Sequence, residues 1–216
     1  IDGERRQRLE AAQASASQSE RGFLFARKVD AITLKAFEMG DSLAWMRRAE
    51  AEYEEVFRAR GWHFLKGELG PTIQEVEKTG ARHVVAAALD DWAELLFRTQ
   101  PRRADNVKRL LEGSRRLDPE SWRDRFRQWD AWADPPRLTK LLDEMKPASQ
   151  PPQVIRVAAA LLRHHGELPD PLLRDAILHH PGYFWLPYQL AADLLQDSAG
   201  VDSKGFETVY YPEGLA

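Results

Sequence analysis

Arginine and aromatic side chains recur at helical spacing between residues 122 and 129, and they have the clearest binding chemistry in the sequence. Trp122, Phe126 and Trp129 lie at i, i+4 and i+7, and Arg123 and Arg127 follow the first two by one residue. Tryptophan and arginine are enriched among residues that carry binding energy at protein interfaces. One interpretation is therefore a groove for an acidic peptide, with both arginines exposed at its rim. The other, which we prefer, is an aromatic core stripe covered by the arginine stems.

A second aromatic group follows the Pro-Gly break at 181–182. The break separates two amphipathic helices, and the second carries Trp185, Tyr188, Ala191, Leu194 and Leu195 at helical spacing. A helix cannot bury an apolar face alone, so we expect this stripe to pack on a neighbouring element. Trp185 and Tyr188 are also the second candidate for a partner-binding surface, in the concave face of a helical array.

Two adjacent carboxylates, Asp90 and Asp91, could suggest acid–base chemistry, but their spacing argues against it. Neighbouring residues of a helix point about 100° apart, so the two groups cannot share a proton as a catalytic pair. We expect one of them on the helix surface and the other buried or capping.

The histidines include two tandem pairs, His164-His165 and His179-His180. Metal ligands on a helix are spaced by three or four residues, so a tandem pair directs only one ring to any one face. We expect His165 and His180 to lie at helix C-termini and to bond carbonyl oxygens there.

Catalytic and cofactor-binding motifs do not occur in the sequence: it has no phosphate-binding glycine loop, nucleophile elbow or metalloprotease motif. It also has no cysteine, which excludes disulfides, thiolate nucleophiles and thiolate metal ligands. We therefore expect no catalytic residue, no metal and no cofactor, and a protein that is not an enzyme.

Composition limits the partners and the compartment. A net charge of −3 argues against a general nucleic-acid binder, which needs a basic face. No apolar run approaches the length of about 20 residues that crosses a bilayer, and no secretory signal opens the chain. We expect a cytoplasmic location, with a membrane tether elsewhere in the parent protein left open. The chain starts at Ile1, so we expect it to be a segment of a longer protein.

Proline-marked helix starts give the chain its organisation. Asp118, Asp134, Gln150 and Asp170 each precede a proline. Aspartate caps a helix N-terminus, and proline fits the first helical position. The first and third starts lie 32 residues apart, and the second and fourth 36 apart. Two interleaved series with this spacing predict helix hairpins that repeat every ~34 residues, the period of tetratricopeptide (TPR) repeats. The alternative is a non-repetitive helical bundle.

The predicted fold class is all-α, a TPR-like solenoid of antiparallel helix hairpins with a short extended C-terminal tail. The expected segments are a polar helical lead-in (1–21), an N-terminal helical segment (22–80), the TPR-like repeats (81–197) and a tail or the start of another segment (198–216).

Four stretches resemble a known family. They are AEAEYEEVFRARGWHF (49–64), ALDDWAELL (88–96), SRRLDPESWRDRFR (114–127) and HHPGYFWLPYQLAADLL (179–195). In this order and spacing they are similar to the helical-repeat region that follows the catalytic domain in bacterial serine/threonine protein kinases, especially those of planctomycetes. Two departures stand out. Pro187 and Ala191 lie where the family tends to have a polar residue and a glycine, and after Gln196 the next repeat that the family would have is replaced by DSAGVDSKGFETVYYPEGLA.

The resemblance implies a non-catalytic interaction or regulatory module of a larger signalling protein, with a protein or peptide partner and the option of self-association. It brings no kinase activity, because the glycine-rich loop, strand lysine, catalytic loop and metal-binding motif of a kinase are missing from the sequence. The alternative is that these helices are the sensor or scaffold of an enzyme whose catalytic domain lies outside this chain.

Overall fold

The computed structural model describes residues 20, 22–35 and 43–198, and every regular element in them is helical. The all-α class is therefore confirmed for this part of the chain. The helices are α1 (22–35), α2 (Leu43–Arg58), α3 (Leu69–Lys78), α4 (Arg82–Thr99), α5 (Ala104–Leu117), α6 (Ser121–Phe126), α7 (Trp129–Ala133), α8 (Pro135–Asp143), α9 (Pro152–His164), α10 (Asp170–His179) and α11 (Trp185–Ser198). Short 3-10 turns cover Pro101–Arg103 and Pro147–Ser149. Apart from residues 20 and 198, the predicted lead-in (1–21) and tail (198–216) lie outside the described residues.

Helices begin close to each of the four proline-marked positions, as predicted. Asp134 caps α8 through a hydrogen bond that its carboxylate accepts from the Arg137 amide at 3.4 Å, and Pro135 takes the first helical position. Helix α9 begins at Pro152, directly after Gln150-Pro151, and α10 begins at Asp170 itself. These starts are local properties of the chain, because a proline ring fixes a helix-compatible φ angle.

The capping residue of α6 differs from the prediction. Asp118 ends α5 as its C-cap residue, whereas the side chain of Glu120 caps α6. The Glu120 carboxylate accepts hydrogen bonds from the amides of Trp122 and Arg123 at 3.1 and 2.9 Å. The Asp118 carboxylate is instead bonded by two arginine side chains, which are described below.

The described residues group into two compact units, one that ends at Trp129 and one that begins at Asp130. In the first unit the core is a cluster of aromatic rings around Phe57 of α2. The Phe57 ring lies 5.4 Å from Phe25 of α1, 5.4 Å from Phe64 and 5.5 Å from Trp92 of α4, measured between ring centroids. Phe64 belongs to the loop after α2 and is buried, so this loop contributes to the core.

Helix α4 is the central element of the first unit and packs along α5. Its residues from 88 to 96 are all buried, including three carboxylates, Asp90, Asp91 and Glu94. On α5, Gly113 lies against the Phe64 ring so closely that a Cβ atom there would be 2.9 Å from it. The small residue therefore permits close approach of α5 to the loop and to α4.

In the second unit, α9 packs against α8, α10 and α11. Helix α9 is buried on two faces: Ile155, Ala158 and Leu161 are fully buried, and so are Val157 and Ala159. A helix that is buried on two faces is typical of the interior of a helical structure.

The orientation of α11 contradicts the predicted stripe. Trp185 is buried, but Ala191, Leu194 and Leu195 are exposed, and Leu186 and Leu190 face inward in their place. Helix α11 carries apolar residues on two faces, so periodicity alone does not select the one that packs. Asp193 also faces inward, and its Oδ1 lies 3.8 Å from Nε of Arg163 on α9. Asp193 lies on the same face of α11 as Leu186 and Leu190. This face is buried, and it is opposite to the face that the sequence pattern favours.

Candidate functional site

Arg127, one of the two predicted rim arginines, is a core residue with 2 % of its surface exposed. Its Nε lies 3.0 Å from each carboxylate oxygen of Asp90, and its Nη2 donates to Oδ2 of Asp90 at 2.7 Å. Its Nη1 donates to the backbone carbonyl and to Oδ2 of Asp118, at 2.9 and 3.0 Å. The predicted exposure of Arg127 is therefore wrong, because two buried acids neutralise this guanidinium inside the first unit.

Arg123 joins the same network from the preceding turn of α6. Its Nε and Nη2 donate to the two carboxylate oxygens of Asp118 at 2.6 and 3.0 Å. On the other side, the Ser114 hydroxyl lies 2.7 Å from Oδ1 of Asp90 and 3.0 Å from the carbonyl oxygen of Ala86. The network, Asp90, Ser114, Asp118, Arg123 and Arg127, thus ties α4, α5 and α6 together.

The pKa values of two groups in the network, Asp118 and Arg127, are shifted by their partners. Burial acts to raise the pKa of the Asp118 carboxyl, but the hydrogen bond from Arg123 and the charge of Arg127 outweigh it, so the pKa is lowered. Burial likewise acts to lower the pKa of Arg127, and the Asp90 and Asp118 carboxylates outweigh it, so that pKa is raised. A carboxylate whose partners are fixed cations is held as a structural acceptor rather than as a proton donor.

The predicted aromatic groove beside these arginines is part of the core. Trp122 is buried and stacks on the Phe126 ring, with centroids 5.3 Å apart. The helix also ends at Phe126, and Trp129, which opens α7, is half-buried. Trp122 and Phe126 therefore fit the core-stripe interpretation. The guanidinium groups of Arg123 and Arg127 pair with acidic side chains of the protein itself.

Asp90 is the member of this network that sequence reasoning missed. We expected one of Asp90 and Asp91 on the surface, and both are buried. A signal was present, since Asp90 lies in a helix whose neighbouring residues are almost all apolar. A carboxylate in such a helix must find a buried cation or lose its charge.

The two helix-terminal histidines bond carbonyl oxygens, but those of elements earlier in the chain. Nε2 of His165 lies 2.8 Å from the carbonyl oxygen of Trp132, and Nε2 of His180 lies 3.0 Å from that of Pro147. A carbonyl oxygen only accepts, so each Nε2 carries the hydrogen. In each bond the two residues are 33 positions apart in sequence. The C-terminal ends of α9 and α10 therefore make the same kind of contact, each to a residue 33 positions earlier in the chain.

The predicted aromatic site on α11 is partly buried and partly exposed. Trp185 is buried, Tyr188 is half-buried, and Phe184 is 59 % exposed. The rings of Phe184 and Tyr188 lie 5.5 Å apart, and those of Trp185 and Tyr188 lie 5.9 Å apart. Leu194 and Leu195, 41 % and 70 % exposed, extend this surface along the helix. We call Phe184, Tyr188, Ala191, Leu194 and Leu195 the outer face of α11.

Comparison with known proteins finds no matching family model, no matching curated protein and no matching solved structure. In the described residues, no helix is long and apolar enough to cross a bilayer. The same residues hold no group of three or more histidine and acidic side chains that could bind a metal ion.

Proposed function

We propose that this chain is a non-catalytic interaction module of a larger signalling protein, built from TPR-like helix hairpins, and that it binds a helix of a partner protein on the outer face of α11. The assignment to a larger signalling protein is supported by the resemblance to the helical repeats of bacterial kinases, which covers residues 49–64, 88–96, 114–127 and 179–195. The contacts of the second unit support the binding surface.

Helix α11 follows α9 in the sequence by about the length of one helix hairpin. Helix α9 begins at Pro152 and α11 begins at Trp185, so the two starts are 33 residues apart (185 − 152). The same sequence separation joins the two residues of each histidine bond. At this offset Ile155 corresponds to Tyr188, and Ala158 corresponds to Ala191. The two helices therefore carry comparable small and large side chains at matching positions, as successive repeats do.

The proposal rests on the difference in burial between the matching positions of α9 and α11. Ile155, Ala158 and Leu161 are fully buried by the neighbours of α9. The corresponding face of α11 is turned to solvent, with Leu194 41 % exposed. Soluble proteins rarely expose a contiguous aromatic and aliphatic surface unless it binds something. Since α9 is covered by helices, a helix with an apolar stripe is the natural ligand of the same face on α11.

The test is selection of displayed amphipathic helices, about four turns long, on the full chain, followed by measurement of their affinities. The variant Phe184→Ser with Leu195→Ser should weaken binding at least tenfold, because both side chains are exposed and contribute apolar contact area. The matched control is Phe23→Ser with Leu24→Ser, which removes the same two residue types from exposed positions of α1.

Equal loss in both double variants, or no loss in either, would overturn the assignment of the outer face. Sedimentation of the chain alone separates a further outcome. A dimer that the Phe184→Ser, Leu195→Ser variant abolishes would mean that this face binds a second copy and not a partner helix.

A further inference from the structure

The second unit also contains a groove between the end of α8, the end of α9 and the first turns of α10. Its volume is about 320 Å³. Leu142 of α8, Leu162 of α9 and Leu172 of α10 line it, each half-buried, together with Met145. Leu168 adds an apolar side chain that is 63 % exposed. None of these residues belongs to the outer face of α11.

The charged residues that line this groove are all acidic. Asp143, Glu167 and Asp175 line it and are exposed, and none of its lining residues, all within the described range 43–198, carries a lysine or arginine side chain. Neither Asp143 nor Glu167 forms an ion pair with any residue that the structure describes. Asp175 lies 3.5 Å from Nε2 of His179, a weak pairing that depends on protonation of the ring.

An apolar lining beneath uncompensated carboxylates selects its ligand by complementarity. Phosphate-bearing ligands and anionic lipid surfaces would be repelled by three negative charges. A volume near the lower limit of ~300–1,000 Å³ for ligand pockets suits one or two aliphatic or aromatic side chains. A peptide with such an anchor beside lysine or arginine satisfies both features, because the cationic groups reach the carboxylates while the anchor is desolvated.

We propose that the groove lined by Leu142, Leu162 and Leu172 binds a short basic peptide segment, with an apolar anchor among the leucines and cationic side chains at Asp143 and Glu167. This site is separate from the helix-binding face and does not depend on the function proposed for it.

The test uses a displayed library of random octapeptides selected on the full chain, with affinities of the enriched peptides measured by fluorescence anisotropy. The expected peptides carry leucine, methionine or phenylalanine next to lysine or arginine. The variant Asp143→Lys with Glu167→Lys should weaken their binding at least tenfold, because each substitution replaces an attraction by a repulsion. Added salt should weaken binding to the parent chain, since the charges are exposed.

The matched control is Glu68→Lys with Glu77→Lys, which reverses one acid in a loop and one in the last turn of a helix, both exposed and in the first unit. It should change the affinities less than twofold. The Phe184→Ser, Leu195→Ser variant should also retain them, which separates this site from the outer face of α11.

Three results would overturn the proposal. They are enrichment of peptides without a basic excess, equal binding by the parent and the Asp143→Lys, Glu167→Lys variant, and a library that yields no binder above background.

Discussion

Asp90 of α4 and Arg127 at the end of α6 form a bidentate pair inside the first unit, with Nε of Arg127 3.0 Å from both carboxylate oxygens and Nη2 2.7 Å from Oδ2. The two residues are 37 positions apart in sequence, and each side chain is only 1 % exposed. Desolvation of both charges is costly, and removing Asp90 leaves the buried guanidinium of Arg127 with Asp118, which it shares with Arg123, as its remaining counter-charge. This pair makes the packing of α6 on α4 sensitive to a single substitution.

Asp90→Ala should lower the free energy of unfolding by about 3–5 kcal/mol, the range found when one member of a buried ion pair is removed. Urea denaturation at neutral pH, followed by far-ultraviolet circular dichroism, measures this. The control is Glu55→Ala, which removes an exposed pair to Arg58 (2.6 Å) and should cost less than about 1 kcal/mol. Equal effects of the two substitutions would show that the buried network contributes no more than a surface pair.

The stability of the first unit should fall as the solution is acidified. The pKa of the Asp118 carboxyl is lowered in the folded chain by Arg123 and Arg127. A carboxyl with a lowered folded-state pKa stabilises the fold above its unfolded pKa, about 4, and this stabilisation is lost as the pH falls through the folded value. Urea midpoints measured between neutral pH and pH 2 should show this decline. Asp118→Asn should reduce its slope, and an unchanged slope would remove Asp118 from the explanation.

Gly113→Ala should destabilise the chain although alanine favours helices by up to about 1 kcal/mol. The added Cβ would lie 2.9 Å from the Phe64 ring and 3.3 Å from Leu89, and overpacking of this kind costs about 1–3 kcal/mol. Gly22→Ala in α1 is the matched control, because its Cβ would meet its nearest neighbour, the Cβ of Ala81, at 3.8 Å. The melting temperature should fall for the first variant and rise or stay constant for the second. The reverse order would contradict the packing.

Trp92→Ala should cost about 3–5 kcal/mol, the usual range for truncating a buried aromatic side chain. Trp92 is buried, and its ring stacks on Tyr53 and Phe57 at 5.9 and 5.5 Å. Phe23→Ala, which truncates an exposed ring of α1, is the comparison and should change the melting temperature little. A Trp92→Ala chain that melts with the parent would mean that the aromatic cluster does not stabilise the first unit.

The sequence alone determined that the described residues are helical and where most of their helices begin, although the break between α6 and α7 was not predicted. Periodic apolar residues within a stretch of ten to eighteen positions, with glycine or proline at its ends, are properties of neighbouring residues. The start of α8 at Asp134-Pro135 and the break after α3 at Gly80, whose φ is +67°, follow from such local preferences. The burial of Trp92 was predictable for the same reason, since α4 is apolar around most of its circumference.

The tertiary structure alone decided which charges are buried and which face of α11 is turned outward. Arg127 is buried because Asp90, 37 residues away, and Asp118, nine residues away, supply its counter-charges, and the residues around Arg127 do not show that the fold brings the Asp90 carboxylate to it. Helix α11 carries apolar residues on two faces, so its pattern alone cannot say which one packs. The pairing of Asp193 with Arg163 accompanies burial of the Leu186 and Leu190 face, and the face of Leu194 and Leu195 is left to solvent. Hydrophobic periodicity makes the two orientations nearly equivalent, and only the contacts that α11 makes with α9 and α10 distinguish them.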